Sequence, residues 1–440
     1  MAPKWFPRSA SSWADIGGFG WCEAGQCSEP FATGRRTPVR RVDGGVLRAL
    51  LSSGLGRAFG LAVVLLALFV CIGLGVLWPD GSRTDRKLFA IQPAQKGEVI
   101  RTQAIDCQGP QNEGCVRVTA ELLSGPDKGS KASFDLGQGG ADPGMDVGDR
   151  VRLTKNQIPE GAPAGVVQPY SFQDFERRAP MVWLVVLFSL LVVGFGRWRG
   201  FFSLIGLGVS LVIVIAFIVP AILDGREPVP VAIVGSLAIM LVTISLAHGL
   251  GAKSVAAMLG TAAALAVTVS LALLFTELTN LTGLASEEAS LLQVGQTDLN
   301  LQGLILSGMI IAALGVLDDV TVSQASAVLA LRKANPVQRF RELYRRAIDV
   351  GHDHVAATVN TLVLAYVGAS LPIVLIFTVG GARFADAVNT EAVATQVVAT
   401  LVGSIGLIVA VPITTALAGL LAMRLPADVL SAEAEHAHAH

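Results

Sequence analysis

Charged side chains are scarce in this sequence. Asp, Glu, Lys and Arg make up 15% of the 440 residues, whereas 52% of the residues are hydrophobic. An average soluble domain has about 25% charged residues. The charges are missing from long continuous runs, which excludes an ordinary soluble enzyme. The net charge of −1 offers no basic excess for nucleic acid. We therefore expect a polytopic membrane protein that lies in the lipid bilayer and has no nucleic-acid partner.

Motifs of the common enzyme classes are also missing. The sequence has no His-Glu-x-x-His, no Gly-x-Ser-x-Gly and no phosphate-binding loop. An intramembrane aspartyl protease needs Gly-x-Gly-Asp and Tyr-Asp, which Leu317-Asp318-Asp319 and Ala365-Tyr366-Val367 do not supply. We expect no enzymatic activity, no catalytic residue, no metal and no cofactor. Any transport must then use a gradient or a partner's energy.

Eight uncharged runs are long enough to cross a bilayer, which takes about 20 apolar residues. Each run lies between two charged residues: Arg57 and Asp80, Arg178 and Arg197, Arg199 and Asp224, Glu227 and Lys253, Lys253 and Glu277, Asp298 and Asp318, Asp353 and Arg383, Glu391 and Arg424. Lys and Arg accumulate in cytoplasmic loops, and here they concentrate on one side of the predicted membrane. Both termini are therefore predicted to be cytoplasmic.

The predicted fold is mostly α, an eight-span helical bundle with a small external insert. Its order is a disordered cytoplasmic tail (1–57), an anchor helix (58–79), an extracytoplasmic β-rich domain (80–179), a seven-span transmembrane domain (180–424) and a cytoplasmic tail (425–440). The first apolar run starts too far from the N-terminus for a cleavable signal, so we expect an uncleaved anchor.

The external insert alternates strand-like runs with turn clusters. Residues 97–105, 116–123, 132–136 and 149–154 predict four strands, with room for a fifth, in a small β-barrel or meander. Cys107 and Cys115 flank a short loop and are predicted to form a structural disulfide in an oxidising compartment; the alternative is two free thiols. The insert has no His, which favours a structural or docking module over a catalytic one.

Two acidic residues, Asp318 and Asp319, interrupt the apolar sequence that begins after residue 298. Asp319, Ser323 and Ser326 recur at i, i+4 and i+7, so they form one polar row on a helix. A carboxylate with hydroxyl groups could bind a hard cation or relay a proton. The alternative is that these groups join helices by hydrogen bonds.

A second polar row follows, with Asp353 and Asn360 on one helical face. Neither row can face lipid without a free-energy cost, because an Asp at the bilayer centre costs about 2.5–3.5 kcal/mol. The two spans are consecutive and antiparallel. We therefore expect the row of Asp319 to pack against the row of Asp353 and to form an ion or proton site.

Between the rows, residues 336–349 predict a basic amphipathic helix on the inner membrane surface, bound by anionic lipid. Asn335 is the expected cap and Pro336 the expected first-turn residue. Val337, Phe340, Tyr344 and Ile348 would form its apolar face.

The polar rows resemble the YibE/F family of bacterial multi-spanning membrane proteins. The matching stretches are residues 315–326, Asn335-Pro336, Gly351-x-Asp353, 360–362 and Leu364-Ala365-Tyr366-x-Gly368. The resemblance covers roughly residues 58–423 and implies one anchor, an external β-rich insert and a seven-span block. It assigns Asp319, Ser323, Ser326, Asp353, Asn360 and Tyr366 to the family's motif. Asp318, His352 and Ala357 depart from it: the family tends to have an apolar residue, Arg and Thr there.

The main functional hypothesis is a permease or channel-like transporter of an ion or small polar solute, in a bacterial plasma membrane. The alternative is a non-transporting membrane component whose external β-domain senses a ligand or docks a partner. The sequence also leaves a homo-oligomer open.

Overall fold

The computed structural model describes most of the chain after residue 53. The described residues are 54–81, 94–105, 115–137, 143–156, 168–285, 291–292 and 299–424. Residues 1–53 of the predicted tail 1–57 and the whole predicted tail 425–440 lie outside them; residues 54–57 belong to α1. The helices are α1 (Gly54–Leu77), α2 (Arg178–Ile213), α3 (Val219–Leu223), α4 (Pro228–His248), α5 (Ala252–Leu278), α6 (Leu301–Ala334), α7 (Phe340–Ala369), α8 (Leu371–Val379), α9 (Phe384–Val388) and α10 (Glu391–Ala422). A π-helical turn, Val214–Ile218, joins α2 to α3.

The insert folds as one antiparallel five-stranded sheet. Its strands are β1 (Gln95–Ile105), β2 (Cys115–Leu122), β3 (Lys131–Leu136), β4 (Arg150–Lys155) and β5 (Tyr170–Phe175), in the order β3-β2-β1-β4-β5. The four predicted strands are confirmed to within two residues, and β5 is the fifth. The sheet curls into a half-barrel, because Phe134 on β3 stacks on Phe172 on β5 with ring centroids 6.2 Å apart.

A turn residue helps to hold the two sides of this half-barrel together. Asp127, in the turn between β2 and β3, accepts hydrogen bonds from Lys155 Nζ at 2.7 Å and from the Tyr170 hydroxyl at 2.5 Å. These bonds lower the pKa of the Asp127 carboxyl group, the bond from Lys155 most strongly. Burial, and then the hydrogen bond to Asp127, raise the pKa of the Tyr170 hydroxyl.

Six of the described helical segments are long and apolar enough to cross a membrane. A seventh candidate is the pair α7 and α8, which meet at an angle of 58°. Pro372 lies at the start of α8 and cannot donate a backbone hydrogen bond, which accounts for a break after Ala369. The eight-span count stays a prediction.

The segment Arg178–Leu223 contains a sharp break at Arg197. Its 46 residues would measure about 69 Å as one straight helix, more than twice a hydrocarbon core of about 30 Å. The backbone of Arg197 takes φ 50° and ψ −132°. A Cβ added to Gly200 would collide with the Val192 carbonyl group, so the chain turns sharply here. The break lies where the sequence placed the boundary between two spans.

Small residues let α5, α6 and α10 approach closely at the centre of the bundle. Gly260 on α5 lies directly against the Thr414 hydroxyl of α10, and Gly406 on α10 lies against Thr268 on α5. Contacts of this kind are typical of membrane helices, where packing and hydrogen bonds replace the hydrophobic driving force.

The segment after α6 differs from the prediction of a separate surface helix at 336–349. Asn335 ends α6, and its side chain accepts a bond from the Val337 amide at 3.3 Å instead of capping a new helix. Helix α7 begins at Phe340 and continues for 30 residues. One face of its first half, including Leu343 and Ala347, is buried against the bundle. Tertiary packing thus fuses the amphipathic segment with the following span.

Candidate membrane site between α2, α4 and α6

A cavity of about 610 Å³ lies between α2, α4 and α6. Helix α6 contributes four of the six residues that the sequence singled out as an ion or proton site. These are Asp318, Asp319, Ser323 and Ser326. The polar row of Asp319 and the neighbouring acid Asp318 therefore line the same cavity. They do so although adjacent residues on a helix point about 100° apart.

Asp318 is the most enclosed acid of the cavity. Its Oδ2 atom lies 3.2 Å from the Thr243 hydroxyl of α4. That hydroxyl also lies 2.9 Å from the Ile239 carbonyl oxygen, and it has one proton to donate. The Asp318 Oδ1 atom is buried and has no hydrogen-bond partner among the residues that the structure describes. Asp318 thus keeps unused acceptor capacity, which a ligand in the cavity would reach once the carboxyl group rotates, because Oδ1 itself is covered.

The two serines of the row donate to their own helix. The Ser323 hydroxyl bonds the Val320 carbonyl at 3.0 Å, and the Ser326 hydroxyl bonds the Val322 carbonyl at 2.7 Å. Donation leaves the oxygen lone pairs available to a cation or to an N–H group. The row therefore offers acceptors to the cavity.

Helix α7 approaches the row through His354. Its Nε2 atom lies 3.5 Å from the Ser323 hydroxyl oxygen. Asp353 and Asn360 are exposed and are not among the described residues that line the cavity. His354 belongs to neither predicted row, so the packing of the row of Asp319 against Asp353 and Asn360, and a role for these two residues, stay predictions.

Other polar residues of α6 form hydrogen bonds to neighbouring helices. The Gln324 amide donates to the Ala347 carbonyl at 2.8 Å and to the Thr415 hydroxyl at 2.7 Å, and Thr321 shares a 2.6 Å hydrogen bond with Thr261. These residues are buried in the bundle, away from the row of Asp319. These are cross-helix bonds of the kind that the alternative interpretation expects. Asp318 and Ser323 also make bonds to neighbouring helices, so the alternative interpretation of the row stays a hypothesis.

The end of α4 and the start of α5 supply basic groups at one end of the cavity. His248 and Lys253 both line it, with Lys253 Nζ 3.2 Å from His248 Nδ1. Sequence reasoning did not select Thr243, His248 or Lys253 for this site. Threonine is common in membrane helices, and only the packing of α4 against α6 shows that Thr243 faces an acid. In the sequence, Lys253 indicates only a boundary between two apolar runs and the predicted orientation of these runs in the membrane.

The predicted disulfide lies outside the membrane site. Cys115 begins β2, is buried and is disulfide-bonded. Cys107 is outside the described residues, so the Cys107–Cys115 pairing stays a prediction. Among the described residues no cluster of His, Cys, Asp and Glu could hold a metal ion.

The sequence profile of the YibE/F-like proteins matches residues 184–424, more than half of the chain. The chain belongs to the YibE/F-like family. It is a multi-pass membrane protein, as the family and the apolar helices together show. The matched region contains most of α2 and all of α3 to α10, and therefore every described residue that lines the cavity, whereas α1 and the five-stranded sheet precede it. No curated protein and no solved structure matches the chain.

Proposed function

We propose that this YibE/F-like protein is a permease or channel-like transporter of an ion or small polar solute, not an enzyme, in a bacterial plasma membrane. The observation that supports this most strongly is the Asp318 oxygen that is buried beside the cavity without a described partner. An acid within a membrane helix is costly, and a function in transport is the usual reason for keeping it.

The location of the acids along α6 adds a second argument. Asp318 lies about 26 Å from the start of the helix, near the middle of its length of about 51 Å. Two neighbouring carboxylates repel each other when both are ionised, and a proton or cation between them removes this repulsion. A gradient of that ion would supply the energy for transport, since the sequence has no ATP-binding motif.

The first half of α7 supports a lipid partner. Arg339, Arg341, Arg345 and Arg346 are exposed, and the opposite face of the helix packs on the bundle. Such a cluster attracts anionic headgroups, at about 1 kcal/mol for each basic residue near the surface. We infer that these four arginines, within residues 336–349, contact anionic lipid at the cytoplasmic surface.

The proposal is tested by reconstituting the purified full-length protein in liposomes. Uptake is measured for monovalent ions, divalent ions and small polar solutes, with and without a pH gradient. Protein-free liposomes are the control. We expect a gradient-dependent flux of at least one solute. Absence of any protein-dependent flux would overturn the proposal and favour a component whose external domain senses a ligand or docks a partner.

A further inference from the structure

The lining of the cavity narrows the class of solute. We propose that the cavity binds a primary or secondary organic ammonium ion, with its N–H groups at Asp318 and Asp319 and its apolar part toward Val214. This inference rests on the proposed function as a permease, for which it specifies the substrate class.

The size of the cavity exceeds what a bare ion needs. Its volume of about 610 Å³ corresponds to about 20 water molecules at about 30 Å³ each. Pockets for small organic ligands measure about 300–1,000 Å³. A metal ion in this space would need many waters or several close ligands, and no group of three or more His, Cys, Asp and Glu side chains lies together among the described residues.

Polarity changes along the cavity. Helices α4 and α6 run in the same direction, because α5 returns between them. Toward the start of both helices the walls are apolar, with Ile239, Ile311 and Val214. Toward their ends the walls carry polar and basic side chains, with His248 and Lys253. The acids lie between the two halves, so a ligand with a cationic head and an apolar tail fits this order.

The head group must donate hydrogen bonds. Asp318 Oδ1 has no described partner, and Ser323 and Ser326 already donate to their own helix. None of the described residues that line the cavity is Phe, Tyr or Trp. Quaternary ammonium ions are usually held by aromatic faces, whereas carboxylate and hydroxyl oxygens accept from N–H donors. The walls therefore favour a primary or secondary ammonium over a quaternary one.

The test is isothermal titration calorimetry of the purified full-length protein with n-propyl-, n-butyl- and n-pentylammonium. Tetramethylammonium and sodium are the comparison cations. We expect the affinity to rise about fourfold with each added methylene group, the fold-change that about 0.8 kcal/mol per buried methylene gives. Asp318→Asn should weaken binding about tenfold or more, because a charge-assisted hydrogen bond is lost. Asp349→Asn, an exposed acid of α7 outside the cavity lining, is the matched control and should bind as the unchanged protein does.

Each outcome decides the inference. Equal binding of tetramethylammonium, or full binding by Asp318→Asn, would overturn it. Flux of protons or metal ions without any alkylammonium binding would also overturn it and would leave the permease proposal intact. Selective alkylammonium binding supports it, and selective binding without flux supports the ligand class while contradicting the permease proposal.

Discussion

At the scale of single residues, two carboxylates in this protein have opposite surroundings. Asp127 in the β-rich insert accepts bonds from Lys155 and Tyr170, and these bonds stabilise its negative charge. Asp318 in the membrane has only a shared bond from Thr243 and one oxygen without a described partner. The first arrangement stabilises a fold, and the second leaves acceptor capacity for a ligand.

The Asp127–Tyr170 bond predicts a measurable titration. The chain has three tyrosines, so Tyr344→Phe and Tyr366→Phe leave Tyr170 as the only phenol. Burial and the Asp127 carboxylate both disfavour the phenolate and raise the pKa of Tyr170. Asp127→Asn should lower this pKa toward the ordinary value of about 10 without reaching it, because burial remains. The phenolate absorbance, recorded as the pH is raised, gives the midpoint.

Asp135→Asn is the matched control for this titration. Asp135 pairs with Arg117 at 2.7 Å and makes no described contact with the Tyr170 hydroxyl. Its substitution should leave the Tyr170 midpoint unchanged. An unchanged midpoint in Asp127→Asn would contradict the assigned bond.

At the scale of helices and strands, features that depend on local sequence patterns were predicted better than features that depend on long-range contacts. The turn clusters correctly predicted β1 to β4, and the charges at Arg197 and Arg199 predicted the break in α2. The spacing of Asp319, Ser323 and Ser326 correctly predicted a shared polar face. These features depend on residues close in sequence.

Features that depend on distant residues were missed. The start of α7 at Phe340 depends on packing of Leu343 against the bundle. Thr243 became a site residue only through the approach of α4 to α6, 75 residues away in sequence. Periodicity says which residues share a face, but it does not say which helix that face meets.

Because α5 packs closely against α10, Gly→Ala substitutions at two positions are expected to have opposite effects on stability. In Gly260→Ala the new methyl group would collide with Thr414, which should destabilise the protein by about 1–3 kcal/mol. In Gly308→Ala the new methyl group meets nothing within 4 Å. That change should be neutral or stabilise by up to about 1 kcal/mol, since alanine favours a helix. Thermal unfolding in detergent compares the two variants, and equal midpoints would contradict the assigned packing.

At the scale of the whole molecule, the orientation in the membrane is a prediction from the distribution of Lys and Arg. It places Ser130 outside and Asn335 inside. In a background where Cys22, Cys27 and Cys71 are replaced by serine, a membrane-impermeant thiol reagent should label Ser130→Cys in intact cells. It should label Asn335→Cys only after the cells are opened. The reverse pattern would invert the orientation and move the His248 end of the cavity to the outside.

The central claim is that solute passes through the cavity beside Asp318. The most direct test is flux in proteoliposomes that contain equal amounts of the unchanged protein, Asp318→Asn or Asp349→Asn, for the solute that the unchanged protein carries. Asp318→Asn should lose this flux while remaining folded, as size-exclusion chromatography and circular dichroism would show. Asp349→Asn should keep it. Full flux through Asp318→Asn would contradict the account.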